Sequence, residues 1–244
     1  MSLNLIQANC RVQFTAEDLA FIMSVLGSTT GAVDGLVKLF GDEECLDVIL
    51  DDERLFRALL EQNGCLRVSA RFYFYVLVRQ VLKRSGIEDR VVADYVAEVL
   101  AAYSRIENTR CAIPGRKEPL DYFCDLLGAL QTADELTGFY IRTHIGNHSL
   151  FLSGVFPERI RYRAESKGAP DLGYYEELGR ANFRVARDHR LARRYDLAEI
   201  FDTLAGRFRA TRMALNDLAE RLLSLGDIEF PIQQWTQAPP CPQE

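Results

Sequence analysis

Two of the three histidines in the chain, His144 and His148, stand four residues apart. On a helix this spacing sets one imidazole a turn above the other on a single face, where the two can share a metal ion or flank a ligand. The neighbouring residues narrow the choice. A zinc-protease helix carries Glu directly after its first His, and Ile145 occupies that position. No Asp or Glu lies between His144 and Ser153 to complete a carboxylate shell, so neither a metal nor another cofactor is expected. Tyr140, Arg142 and Asn147, each about a turn or less from the pair, would add a phenol, a guanidinium and an amide to a small-molecule pocket. Tyr175 and Glu176 line the same pocket if the start of their helix points at it. A structural role competes with this one. Ile141, Ile145, His148, Leu152 and Val155 form one apolar stripe, which turns His148 toward the core. A buried histidine hydrogen-bonded to a carbonyl or a tyrosine would carry the same pattern.

Other chemistry has less support. No Gly-x-Ser-x-Gly elbow is present, and no Ser/His/Asp or Cys/His arrangement can be assembled from the sequence. Gly27-Ser-Thr-Thr-Gly31 lacks the Gly-Lys-Ser/Thr ending of a phosphate loop. Arg180, Arg184, Arg187, Arg190 and Arg194 recur at steps of three and four, which places them on one helical face. Such a stripe suits an acidic protein partner or phosphates. Glu176 and Asp188, four residues from Arg180 and Arg184, neutralise part of it.

The histidines must be carried by a central helix. Gly138, Gly146, Ser149 and Ser153 give that helix an edge of small residues, over which a second helix can approach closely. Each internal glycine costs ~1 kcal/mol of helix propensity. Close packing, or room for a ligand, is expected to offset that loss.

The rest of the chain reads as helical almost throughout. Thr15 with Asp18 forms a capping box for a first helix reaching Leu26. Further helices are expected over 31–40, 42–50, 52–62, 70–84 and 89–105 in the front half. In the rear half they fall over 120–130, 133–155, 174–189 and 196–225. Pro157 ends the 133–155 helix, with a further turn over 157–160, and Gly226 suits a C-cap. Ser69 caps the 70–84 helix, which is apolar on nearly every side. Residues 1–14 alternate instead, with Leu3, Leu5, Val12 and Phe14, as an extended arm or edge strand would. The loop 113–119 holds two prolines, a glycine and three charges, and divides a 1–112 lobe from a 120–230 lobe packed as one unit. Residues 231–244 form a flexible tail. The expected fold is therefore all-α, a single compact unit of about eight to ten helices with a short extended N-terminal arm. The helices at 133–155 and 196–225 form its core, with 70–84 beside them.

Composition sets limits on function. With 48% hydrophobic and 26% charged residues in 244, the chain is neither disordered nor a disulfide mini-protein. A net charge of −6 disfavours nucleic-acid binding. Its six cysteines show no C-x-x-C spacing and read as free thiols in a reducing cytoplasm. The longest uncharged run, Thr143 to Pro157, falls short of the ~20 apolar residues a membrane span requires. Residues 1–66 hold four Lys or Arg against eleven acids, whereas 156–221 hold fourteen against eleven. This asymmetry favours a non-enzymatic cytoplasmic protein acting through protein–protein contacts, self-association included. A pocket around His144 and His148 is the alternative, and nucleic-acid binding through the arginines the third.

Overall fold

A computed structural model describes residues 5–27, 42–61, 67–114 and 116–224, and the predicted 31–40 helix, the Gly226 cap and the 231–244 tail lie outside them. Most helices among the described residues begin or end where local chemistry dictates. Helix α1 (Ala16–Leu26) opens on the expected capping box, in which the Thr15 amide donates to Asp18 at 2.8 Å and the Asp18 amide to the Thr15 hydroxyl. Asp18 is fully buried and also accepts from the amide and hydroxyl of Ser69, at 2.6 and 2.7 Å. Ser69 caps α4 (Ala70–Arg84) by accepting from the Phe72 amide. One carboxylate thus fixes the starts of two helices. Between them lie α2 (Glu43–Leu50), capped by Asp42, and α3 (Glu53–Glu61). Helix α5 (Arg90–Tyr103), capped by Asp89, packs along α4.

The rear half contains α6 (Phe123–Leu130), α7 (Glu135–Val155), α8 (Pro157–Lys167), α9 (Leu172–Arg187), α10 (Arg190–Arg194) and α11 (Ala198–Ser224). Helix α7 packs most extensively on α9 and then on α11, and α11 in turn packs on α4. One apolar core runs through both halves, from Cys10 to Leu222. The chain is all-α in a single compact domain, and no strand occurs among the described residues.

Three expectations require correction. The all-α fold itself is as expected: eleven α-helices occur among the described residues, two of which, α8 and α10, lie at or beyond the ends of predicted elements. Pro157 does not merely stop α7; its fixed φ suits the first turn of α8, which then runs for eleven residues. The 174–189 helix ends at Arg187, and the ring of His189 accepts from the Leu191 amide to start α10. The N-terminal segment is no strand either. Arg11–Gln13 form a 3-10 turn, because Asp94 on α5 accepts the amides of Cys10 and Arg11 and replaces a strand partner.

The small-residue edge of α7 does bring helices close. A Cβ on Gly146 would stand 2.7 Å from the ring of Phe183 on α9, and one on Gly154 would stand 2.9 Å from Leu215 on α11. The tightest approach involves Gly179 on α9, where a Cβ would stand 2.3 Å from Phe208 on α11 and 3.1 Å from Ser149 on α7. Gly138 has open space around it and takes no part. Helix α11 kinks at Arg207 (φ −113°, ψ 19°), whose guanidinium donates to the Gly86 carbonyl at the end of α4.

Candidate functional site

Helix α7 carries His144 and His148 along a seam between two apolar clusters. The main core takes Phe139, Leu150 and Phe151 from this helix, with Leu152 and Val155 against it. A smaller cluster takes Ile141 and Ile145 and packs them against Leu126 and Ala129 of α6 and against Cys111 and Leu120. Cys111 and Leu120 exchange both backbone hydrogen bonds in an isolated antiparallel bridge, which pins the base of the 113–119 loop over this cluster. The apolar stripe predicted for α7 is therefore shared between two clusters, with His148 at the division.

Aromatic rings from both sides close on the pair. The two imidazole centroids are 5.4 Å apart. Tyr103, at the end of α5, stands edge-on to both rings at 5.9 Å, and Phe123 on α6 lies 5.2 Å from His148. The Tyr103 hydroxyl is 3.2 Å from His144 Nδ1. Burial holds the Tyr103 pKa well above the ordinary phenol range, so the phenol keeps its proton. His144 Nε2 and His148 Nδ1 are both shut off from solvent and have no hydrogen-bond partner. Burial lowers the His144 pKa to about 4, against a smaller upward pull from the Thr109 main chain. Burial and then the neighbouring His144 lower His148 to about 3. Both rings are neutral at pH 7. Burial also pushes the Cys111 thiol up to about 11. Among the described residues, no group of three His, Cys, Asp or Glu is placed to hold a metal ion.

The other residues singled out in the sequence are distributed around this centre. Tyr175 reaches its edge, with its ring 5.8 Å from Phe123. Asn147 points to the main core, where its side-chain oxygen accepts from Tyr95 at 2.9 Å. Arg142 turns to Asn182 on α9, at 3.3 Å, and Tyr140 packs its ring on Phe139. Glu176 does not share the pocket as expected. It pairs with the buried Arg212 of α11 at 2.7 Å, and Asn216 beside Arg212 donates to the carbonyls of Ser153 and Gly154 at the end of α7. Buried guanidinium requires a counter-charge, and Glu176 is the acid that reaches it.

The arginine stripe is also divided. Arg180, Arg184 and Arg187 lie on α9, but Arg190 and Arg194 belong to α10, so the five do not share one helical face. Arg180 pairs with Glu177, Arg187 with Asp188 and Asp202, and Arg190 with Glu135. Arg194 lies over the ring of Tyr195, and Arg184 is exposed.

The sequence reading missed Tyr103 and Phe123. Tyr95 and Tyr103 fall on the apolar stripe of α5, and a buried phenol must find an acceptor, which is the one signal that pointed across to α7. Among the described residues, no helix is long and apolar enough to cross a membrane. Compared with known protein families, with curated proteins and with solved structures, the chain shows no match.

Proposed function

We propose that the chain is a small-molecule-binding protein whose ligand hydrogen-bonds to His144 and His148 between α5, α6 and α7. The observation that supports this is the pair of buried ring nitrogens without partners. Native interiors satisfy nearly all such atoms, and each one left over costs ~1–3 kcal/mol. A ligand that engages both offsets that cost. Binding rather than catalysis is proposed because the cluster offers neutral imidazoles, a protonated phenol and a protonated thiol, with no charged acid or base among them. A reducing, cytoplasmic setting belongs to the same proposal, since Cys10 and Cys111 are buried free thiols.

Thermal-shift measurements on the full chain, with a panel of small aromatic and alicyclic compounds, test this. A compound present at about 100 times its Kd adds ~2.7 kcal/mol of stability, which is several degrees of Tm for a chain of this length. Binders are expected to raise the wild type and leave His148→Leu unmoved. If no compound raises Tm, or if both proteins rise equally, the proposal fails.

Contact with a second copy of the chain is the other reading. Val12, Val48 and Val91 are exposed, and each directly follows a member of the ion-paired trio Arg11, Asp47 and Arg90, so they share one region of surface. Light scattering is expected to show a dimer that Val48→Asp with Val91→Asp disperses. A wild type that stays monomeric at high concentration would remove this reading.

A further inference from the structure

Resting on the reading of contact with a second copy, we infer that this contact is head-to-tail: the exposed turn Glu44–Val48 of α2 on one copy seats on the exposed turn Arg209–Met213 of α11 on the next. The two turns match in kind and in spacing. Val48 (71% exposed) and Met213 (54%) are large apolar side chains left outside the core. Each has an exposed charged residue four positions earlier, Glu44 and Arg209. On a helix that step sets charge and apolar group one turn apart on a single face. The charges nearby are already answered within the molecule. On α2, Asp47 is held by Arg11 and Arg90, and on α11 Asp202 and Asp217 are held by Arg187 and Arg221. Glu44 and Arg209 have no ion partner among the described residues. With the two helices side by side in parallel, Glu44 meets Arg209 and Val48 meets Met213 in one register.

The basic side of the match extends beyond one turn. Arg187 pairs with Asp202 and Glu176 with Arg212, which brackets an antiparallel contact between α9 and α11. Arg180 and Arg184 lie between the bracketing residues on α9, and Gly206 and Arg209 lie between them on α11. Steps of three and four return all four positions to the same flank as the two ion pairs. Arg180 is answered by Glu177, whereas Arg184 has no ion partner among the described residues. Part of the arginine stripe expected along one helix is thus rebuilt across two. Gly206 is exposed, and open space stands where its side chain would be, so an approaching helix can come close. The whole chain repeats the complementarity at longer range. Residues 1–66 hold four Lys or Arg against eleven acids, and 156–221 hold fourteen against eleven. A contact between two different faces leaves one front and one rear open on the first dimer, and association continues from both.

Sedimentation velocity on the full chain at pH 7 tests this with Glu44→Arg, Arg209→Glu and an equal mixture of the two variants. The wild type is expected to associate at low salt and to disperse at ~1 M salt, where the Debye length falls to ~3 Å. Each variant alone is expected to associate roughly tenfold more weakly, because like charges then face one another. The mixture is expected to return to the wild-type level, since the reversed front of one variant meets the reversed rear of the other. Misfolded variants could not be rescued in this way. A closed dimer that Arg209→Glu leaves intact would overturn the head-to-tail contact and leave the second-copy reading standing. A wild type monomeric at every concentration would overturn both. If that monomer binds a poly-glutamate peptide or a single-stranded oligonucleotide, and Arg209→Glu abolishes the binding, the α9–α11 face serves a different partner and the inference is likewise overturned.

Discussion

Gly179→Ala is expected to destabilise the chain by about 3 kcal/mol, at the upper end of what overpacking a core costs, and to lower Tm by roughly 6–12 °C. The added methyl would stand 2.3 Å from the ring of Phe208, a distance no pair of carbons tolerates. Ring ends often swing aside at little cost, but Phe208 has nowhere to go. It is 1% exposed and lies against Phe183, which is itself stacked on Phe201 at 5.3 Å. Ser149 blocks the methyl from the α7 side at 3.1 Å. Gly138→Ala is the control: its Cβ meets nothing, so it should gain ~0.5–1 kcal/mol of helix propensity. Calorimetry on both variants gives the comparison, and Gly179→Ala with Phe208→Leu should recover part of the loss through coupling between the two positions. A Gly179→Ala protein as stable as the wild type would mean that α7, α9 and α11 do not meet this closely.

Acid is expected to unfold the protein earlier than its carboxylates alone would require. Above pH 6.5 the imidazoles of His144 and His148 are neutral whether the chain is folded or not. Below that, the unfolded chain takes up two protons that the folded chain refuses until about pH 4 for His144 and about pH 3 for His148. The unfolded state therefore binds more protons, and stability falls as pH falls, by ~1.4 kcal/mol per pH unit for each ring. Between pH 6.5 and 4.5 the two together remove on the order of 5 kcal/mol, the whole stability of many domains. Asp51 adds to the loss only at lower pH. Its own burial works upward, but Arg79 and then Arg90 hold its carboxyl at about 2, so its contribution is present above pH 3.8 and disappears toward pH 2. Urea titrations at pH 7, 6, 5 and 4.5 should show the steep slope in the wild type and about half of it in His148→Leu. Equal slopes for the two proteins would show that His148 is not held neutral.

Much of the fold was legible because helix signals are local. Thr15, Ser69 and Asp89 each announced a start, and the period of apolar residues placed α4, α5 and α7 within a few positions. Two boundaries were not legible, for different reasons. Histidine seldom caps a helix, so nothing before Leu191 signalled the break that His189 makes. Proline permits both the end of one helix and the start of another, and the turn read over 157–160 gave no sign that the second helix would continue to Lys167. At the candidate site, the i, i+4 spacing identified the two histidines, and the glycines and serines beside them identified the crowding. What spacing could not supply was the far wall. Tyr103 is 41 positions from His144, and which stripe of α5 meets which stripe of α7 is fixed by tertiary packing alone. Glu176 shows the converse, since its partner Arg212 is 36 positions away in sequence, and the local pattern suggested a different neighbour.

The shared carboxylate of Asp18 couples events that helix theory treats as separate. An isolated helix nucleates when its own first turn closes. Here the first turns of α1 and α4 rely on one oxygen pair across a separation of 51 residues, so neither end is finished until that loop has closed. Fraying at one terminus is then felt at the other, and the amides of Thr15 and Ser69 exchange with solvent through a single opening rather than two independent ones.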